Sequence, residues 1–312
     1  MKFFITGIEG FVGHYLAQNL LDNGHQVGGS FIDVQAASDL TEKFKLYQVD
    51  LRQPEQIDKA LKDFYPQVIF HLAAQSSPAL SFKNPQLTFE VNLIGTVNLL
   101  EAVRGLKEKC RLVLISSCEV YGPTTGDKPL SETEPCNPIS PYASSKVFQE
   151  ITCLQYFRTY GLETVLVRPF PHTGPGQPAT FALPSFARQI AGIEKGRREP
   201  VITVGNLSAR RDISDVRDVV QAYRLLAEKG RPGETYNVSS GQAVSMEEAL
   251  KLMLKMSTLT IKIETDPSLL RPADVPLLWG DPSKLKAETG WSPSFLFKDT
   301  LNSLLDSWRK QD

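Results

Sequence analysis

The chain is poor in every feature that would place it in a membrane, in an oxidising compartment or on a polyanion. No stretch of the 312 residues approaches 18 consecutive apolar positions, so none reads as a membrane-spanning helix. The opening run Met1-Lys2-Phe3-Phe4-Ile5 breaks off at Thr6-Gly7 and then meets Glu9, which leaves no apolar region for an export signal. Cysteine occurs four times, at Cys110, Cys118, Cys136 and Cys153. No pair has C-x-x-C spacing, and the number is too small for a disulfide framework. Reduced thiols and a cytoplasmic location are therefore expected. His14, His25, His71 and His172 show no ligand spacing either, so no metal site is expected. The net charge is −1, from 34 Lys+Arg against 35 Asp+Glu, which argues against a broad basic field for nucleic acid or an anionic membrane. No internal repeat or low-complexity tract interrupts the chain.

What the chain does contain is alternation. Lys2–Ile5, Gln26–Ile32, Phe44–Val49, Gln67–His71, Leu112–Ser116 and Thr164–Val167 read as strands. Phe11–Leu21, Pro54–Phe64, Pro85–Arg104 and Pro141–Tyr160 read as helices, three of them opened by a first-turn proline. Val/Ile-rich strands alternating with helices predict an α/β protein with a parallel sheet covered on both faces. After residue 170 the pattern loosens. Phe170–Gln177 reads as loop, Phe181–Ile193, Glu247–Met256 and Ser283–Thr289 as helices, and Pro200–Val204 and Glu234–Val238 as short strands. This predicts a dinucleotide-binding domain over 1–168 and a smaller, irregular substrate lobe over 169–312, some of whose elements return to the first domain.

Thr6-Gly7-Ile8-Glu9-Gly10-Phe11-Val12-Gly13 follows the first strand and opens the first helix. Gly7 permits the tight turn, Gly10 lets a pyrophosphate approach the backbone, and Gly13 allows close packing of the helix. The helix N-terminus, with Phe11 and Val12, offers free N–H groups to the phosphates. A glycine triplet alone is weak; between a strand and a helix it predicts a dinucleotide site. Asp33, just past the second strand, is the candidate reader of the adenosine ribose. No Arg or Lys lies between Val27 and Gln35 to greet a 2′-phosphate, so the reading leans to NAD without excluding NADP. Asp50 and Leu51 after the third strand, and Leu72, Ala73, Ala74 and Gln75 after the fourth, are further candidates for lining the cofactor. His71 reads as a core histidine.

Tyr142 and Lys146 are spaced i, i+4 and share a helix face. A phenol ionises near ~10, and a neighbouring ammonium is expected to bring that value down. Ser117, at the end of the fifth strand, is placed to bond the same substrate oxygen. On its own the pair reads as a surface accident. With the glycine turn and a strand-end serine it reads as a proton-transfer site for a carbonyl/alcohol pair.

Thr6–Gly13, His71–Gln75, Ser116–Gly122 and Tyr142–Lys146 together resemble the extended short-chain dehydrogenase/reductase family acting on nucleotide sugars, over essentially the whole chain. The resemblance implies a Rossmann-type doubly wound sheet and an enzyme using NAD or NADP. Gly174–Gln177, Val204–Leu207, Arg211–Asp218 and Leu270–Pro276 look most like the GDP-6-deoxy-4-keto-D-mannose reductase branch, kin of GDP-mannose 4,6-dehydratase. It implies Ser117, Tyr142 and Lys146 as catalytic residues and a GDP-linked substrate. It also implies Arg211 and Arg271 as holders of the diphosphate, a role that suits a fork of N–H donors. Glu119 stands where dehydratases of this kind carry a general base, and reductases can carry it too. Two departures stand out. Pro171 precedes His172 where such proteins usually have Asn, which removes an amide expected at the substrate. Cys118 replaces an acid common in the dehydratases. The expectation is therefore reduction of the C4 ketone of a GDP-4-keto-6-deoxyhexose to a GDP-D-rhamnose-type product, with 4,6-dehydration of GDP-mannose, or another nucleotide-sugar epimerase or dehydratase activity, as the alternative. Related enzymes pair the helices matching Pro85–Arg104 and Pro141–Tyr160 across a dimer, so a homodimer is expected.

Overall fold

The computed structural model describes residues 1–40, 43–123, 128–270 and 275–311, leaving out the side chain of residue 39. The first half runs β1 (Lys2–Thr6), α1 (Phe11–Asp22), β2 (Gln26–Phe31), β3 (Lys45–Gln48), α2 (Pro54–Phe64), β4 (Val68–His71), α3 (Pro78–Lys83), α4 (Pro85–Phe89), α5 (Gly95–Arg104), β5 (Arg111–Ile115), α6 (Pro141–Tyr160) and β6 (Thr164–Pro169). The second half runs β7 (His172–Thr173), α7 (Ala182–Glu194), β8 (Val201–Val204), β9 (Arg210–Asp212), β10 (Ser214–Asp215), α8 (Val216–Lys229), β11 (Thr235–Val238), β12 (Ala243–Ser245), α9 (Met246–Leu254), β13 (Lys262–Thr265), β14 (Leu277–Leu278), α10 (Ser283–Thr289) and α11 (Phe297–Lys310).

Seven parallel strands form the main sheet in the order β11-β6-β5-β4-β1-β2-β3. Chain direction across the sheet reverses between β1 and β4, and a ligand crevice is expected outside the carboxyl ends of those strands. Burial on both faces follows from strands such as Phe3-Phe4-Ile5 and Leu112-Val113-Leu114, which carry no alternating polar side. One face is covered by α1 and α8, with Leu16, Leu20, Val219, Tyr223 and Trp291 in the core there. On the other, α2, α5 and α6 supply Leu61, Leu99, Leu100 and Cys153. Three small sheets and α7, α9 and α11 enclose a separate core around Phe186, Ile190, Leu250 and Leu304.

The Rossmann-type sheet and the smaller C-terminal assembly agree with the sequence, and most strands and helices lie within a residue or two of their expected bounds. Three differences have physical reasons. The expected helix Pro85–Arg104 contains a π-turn over Glu90–Ile94. The widened turn lets the buried Asn92 side chain clamp Gln75, while its carbonyl accepts from Gln149 Nε2 at 2.9 Å and Thr96 Oγ1 at 2.5 Å. The segment read as loop, Phe170–Gln177, includes β7, which pairs in parallel with β10. The helices α3, α8 and α11 are not among the helices expected from the sequence. Val216, Val219, Val220, Tyr223, Leu226 and Ala227 do follow helical spacing and are all buried, so that signal was present in the chain. Among the described residues, no helix is long and apolar enough to cross a membrane.

Candidate active site

Loops at the carboxyl ends of the strands frame one cleft of about 1490 Å³ that runs from the glycine turn to the small sheets. The turn at its base has the form an anion requires. Gly7 sits at φ +70°, a left-handed conformation glycine adopts without strain. A Cβ on Gly13 would lie 2.4 Å from the Gly7 carbonyl oxygen, so the helix start has no room for a side chain. At Gly10 a Cβ would meet only that same oxygen, at 3.3 Å, and otherwise open space. The amides of Phe11, Val12 and Gly13 belong to the first helical turn, where N–H groups lack intrahelical partners, and all three residues line the cleft. A dinucleotide pyrophosphate fits this cradle.

Across the switch point, Leu72, Ala73 and Ala74 line the same cleft, as do Asp50 and Leu51. Asp50 accepts a two-pronged contact from Arg52, whose hydrogen bonds hold its carboxyl below the usual carboxylate range. His71 bridges the Thr6 hydroxyl at 2.8 Å and the Thr96 hydroxyl at 2.9 Å, beneath the cleft floor. Burial, then the nearby Lys146 charge, lowers it to about 3, so it is a neutral core histidine. Two candidates lie elsewhere. The Asp33 carboxylate turns back to accept from the amides of Gln35 and Ala36, and Asp33 is not part of the lining. Gln75 spends its amide on Ser77 and Thr88, fixing the loop before α3 rather than facing the cleft.

The proton-transfer group is held by α6. Ser140 caps this helix through the Ala143 amide at 3.0 Å, and Pro141 occupies its first turn. Tyr142 and Lys146 then share one buried face and both line the cleft. Ser117 accepts from the Glu119 amide at 3.2 Å, and its hydroxyl favours the ionised form of the Tyr142 phenol. Burial holds that phenol well above its ordinary range, and the Glu119 charge adds to the effect. The Ser117 contact works against them. The expected lowering by the lysine is absent. Lys146 Nζ donates to the Ile115 carbonyl at 2.8 Å and lies 6.0 Å from the Tyr142 ring, so burial of the phenol dominates. Lys146 is itself lowered to about 8 by burial, partly offset by Glu150.

At the outer end, His172 Nδ1 meets the Phe170 carbonyl at 2.9 Å, which can only accept; that nitrogen therefore carries the proton. The ring stacks on Phe11, and burial lowers its pKa. Arg211 lines the cleft with Nη1 on the carbonyls of Val275 and Arg210. Arg271 lies outside the described residues. Cys118 is buried, and burial raises its thiol well above the ordinary value. The lining also includes residues to which the sequence motifs assign no role, among them Glu9 within the glycine turn, Arg52 and Tyr223. Glu9 was legible from its place in the motif, whereas Tyr223 depended on recognising α8. Among the described residues, no group of three or more His, Cys, Asp or Glu is placed to hold a metal ion.

A doubly wound sheet, a glycine cradle at its switch point and a buried Tyr–Lys pair beside a strand-end serine define an NAD(P)-dependent oxidoreductase of the extended short-chain dehydrogenase/reductase class. Within that class, residues 4–304 match the GDP-mannose 4,6 dehydratase family model, and the chain belongs to that family. It is 33% identical to a GDP-6-deoxy-D-mannose reductase of Pseudomonas aeruginosa, over 99% of this chain and 98% of the relative. It is 31% identical to a GDP-mannose 4,6-dehydratase of Yersinia enterocolitica, over 96% of this chain and 91% of the relative. A solved structure of RMD from Pseudomonas aeruginosa complexed with NADPH superposes with a TM-score of 0.87 at 32% identity, covering 99% of this chain and 98% of that one.

The lowered Lys146 sets a pH limit. Its ammonium is present below pH about 8 and is lost as the pH rises through that value, whereas an ordinary lysine would keep its proton. The family resemblance implies that Lys146 holds the nicotinamide ribose, so dinucleotide affinity is expected to be level below pH 8 and to weaken above it, while Lys146→Met binds weakly without that limb. Titration of a reduced dinucleotide across the pH range checks this; a wild-type profile level well beyond pH 8 contradicts it.

Proposed function

We propose that the protein reduces the C4 ketone of a GDP-linked 4-keto-6-deoxyhexose, giving a GDP-D-rhamnose-type sugar. The observation that carries this reading is the protonated Tyr142 phenol, buried in the cleft that Ser117 and Lys146 also line. Reduction of a ketone needs a hydride and a proton. The reduced nicotinamide cofactor, bound on the glycine cradle, supplies the hydride. Tyr142 supplies the proton to the alkoxide oxygen, and Ser117 orients that oxygen through its hydroxyl. The phenolate left behind regains its proton from solvent. Arg211 is suited to hold the diphosphate, and Arg271 is proposed beside it. Relatives of both kinds support a GDP-sugar substrate, one named as a reductase and others as dehydratases.

Dehydration, the second reading, is favoured by Glu119, a carboxylate in the cleft whose charge reaches Tyr142. It would remove a proton at C5. Elimination also needs an acid for the departing hydroxyl, and the neighbouring position holds Cys118, a buried thiol. The matched reductase also aligns almost length for length, over 311 residues, whereas alignment with the dehydratase extends over 341. Both points favour reduction.

Ile94, Phe148 and Ile151 on the α4–α5 run and on α6 are 49%, 48% and 58% exposed. We assign this apolar face to a homodimer contact.

With the 4-keto sugar nucleotide, the enzyme is expected to oxidise NADH or NADPH and to leave GDP-mannose untouched. Tyr142→Phe should lower kcat by about 10²–10⁴ with dinucleotide affinity retained. A variant that keeps the wild-type rate would remove the phenol from the mechanism. Sedimentation should show a dimer at micromolar protein, and a stable monomer there overturns the assigned contact.

A further inference from the structure

The glycine turn carries a carboxylate that the reaction does not use. Glu9 stands between Gly7 and Gly10 and lines the cleft. Its Oε1 accepts from the amide of Ile32 at 2.9 Å, just past the end of β2. That bond fixes the carboxylate between the pyrophosphate cradle and the strand end where the adenosine ribose of a dinucleotide is read. Its Oε2 is shielded from solvent and has no hydrogen-bond partner. A carboxylate oxygen left without a donor in a folded protein is a place where a ligand hydroxyl gains a strong contact.

Nearby groups leave this task to Glu9. Asp33 has committed its carboxylate to the amides of Gln35 and Ala36. Arg52, which follows the neighbouring β3, is bound to Asp50 by Nε at 3.0 and 3.1 Å and by Nη2 at 2.6 Å. A phosphomonoester on the ribose carries about −1.5 to −2 charges at neutral pH. Beside Glu9 it would meet a like charge, with the Arg52 guanidinium of the same cleft already engaged by Asp50. A free 2′-hydroxyl would instead donate to the carboxylate after a small rotation of its two oxygens.

We propose that Glu9 reads the adenosine ribose of the cofactor and makes this enzyme select NADH over NADPH, in contrast to the Pseudomonas aeruginosa structure complexed with NADPH. The inference rests on the dinucleotide site of the proposed function, but not on the identity of the sugar. Discrimination of this kind comes from a repulsive element facing the wrong ligand as much as from an attractive one facing the right ligand. Since Glu9 is part of neither the Tyr–Lys pair nor its serine, changing it alters cofactor choice without removing the proton donor.

The test is a pair of fluorescence titrations, with NADH and with NADPH, on the wild-type chain, Glu9→Gln and Glu9→Ser, without sugar. Wild type is expected to bind NADH at least about tenfold more tightly than NADPH. Glu9→Gln keeps an oxygen for the Ile32 amide but removes the charge. It should close most of that gap by strengthening NADPH binding, and Glu9→Ser should close it further. The wild-type preference should also shrink in high salt, because the repulsion is electrostatic. Equal wild-type affinities, a preference for NADPH, or an unchanged ratio in Glu9→Gln each overturn the proposal while leaving the dinucleotide site in place. If wild type binds neither dinucleotide, the site reading fails and this proposal fails with it.

Discussion

A buried ammonium constrains everything around it. Lys146 lies on the inner face of α6 with 3% of its surface exposed, and an isolated charge there would be strongly disfavoured. Two compensations are built in. The Ile115 carbonyl at the end of β5 accepts from it, and the Glu150 carboxylate one turn further along α6 favours its charged form. Glu150 is in turn held by Arg168 on β6 and by the Ser116 hydroxyl, and Arg168 packs over the Tyr121 ring. Strand ends, helix and loop are thereby locked in one register, and that register places Tyr142 and Ser117 together. Breaking a buried ion pair of this kind by removing one partner generally costs about 3–5 kcal/mol, so the network ties stability to the geometry of the site.

The same economy of charge governs the floor of the cleft. His71 could have placed a second cation near Lys146. Burial instead keeps it neutral, and its two ring nitrogens join Thr6 on β1 to Thr96 on α5. Thr6 also accepts from the Ala73 amide at 3.1 Å, so the glycine turn and the loop after β4 share one set of hydrogen bonds. The π-turn belongs to this set: it frees the Asn92 carbonyl for Gln149 on α6. The cofactor cradle and the proton donor are thus connected through the core.

The sequence made the sheet legible because its central strands β1, β4 and β5 carry apolar runs and each major helix of the first half has its own punctuation, from Gly10 and Pro54 to Pro141. The Tyr–Lys pair was legible for the same reason: an i, i+4 spacing on a helix with a clear start survives folding unchanged. What could not be read was anything decided by burial. The phenol was expected to be lowered by its lysine, yet the depth of Tyr142 raises it. Asp33 occupied the expected ribose position in the sequence, but a local turn captured its carboxylate. Gln75 matched a lining position by spacing and proved to be a brace, because the π-turn brings Asn92 to it. The amphipathic helix α8 was readable and passed over, and Tyr223 went with it.

Tyr142 and Lys146 are assigned to serve a hydride transfer to a sugar ketone. The most direct measurement supplies the 4-keto sugar nucleotide with a reduced dinucleotide deuterated on the transferred position, in ordinary water, and locates the label by NMR and mass. One deuterium at C4 of the sugar and one oxidised dinucleotide per product are expected. A product without deuterium at C4, or a 4-keto sugar released from GDP-mannose with no net cofactor consumption, would contradict that assignment.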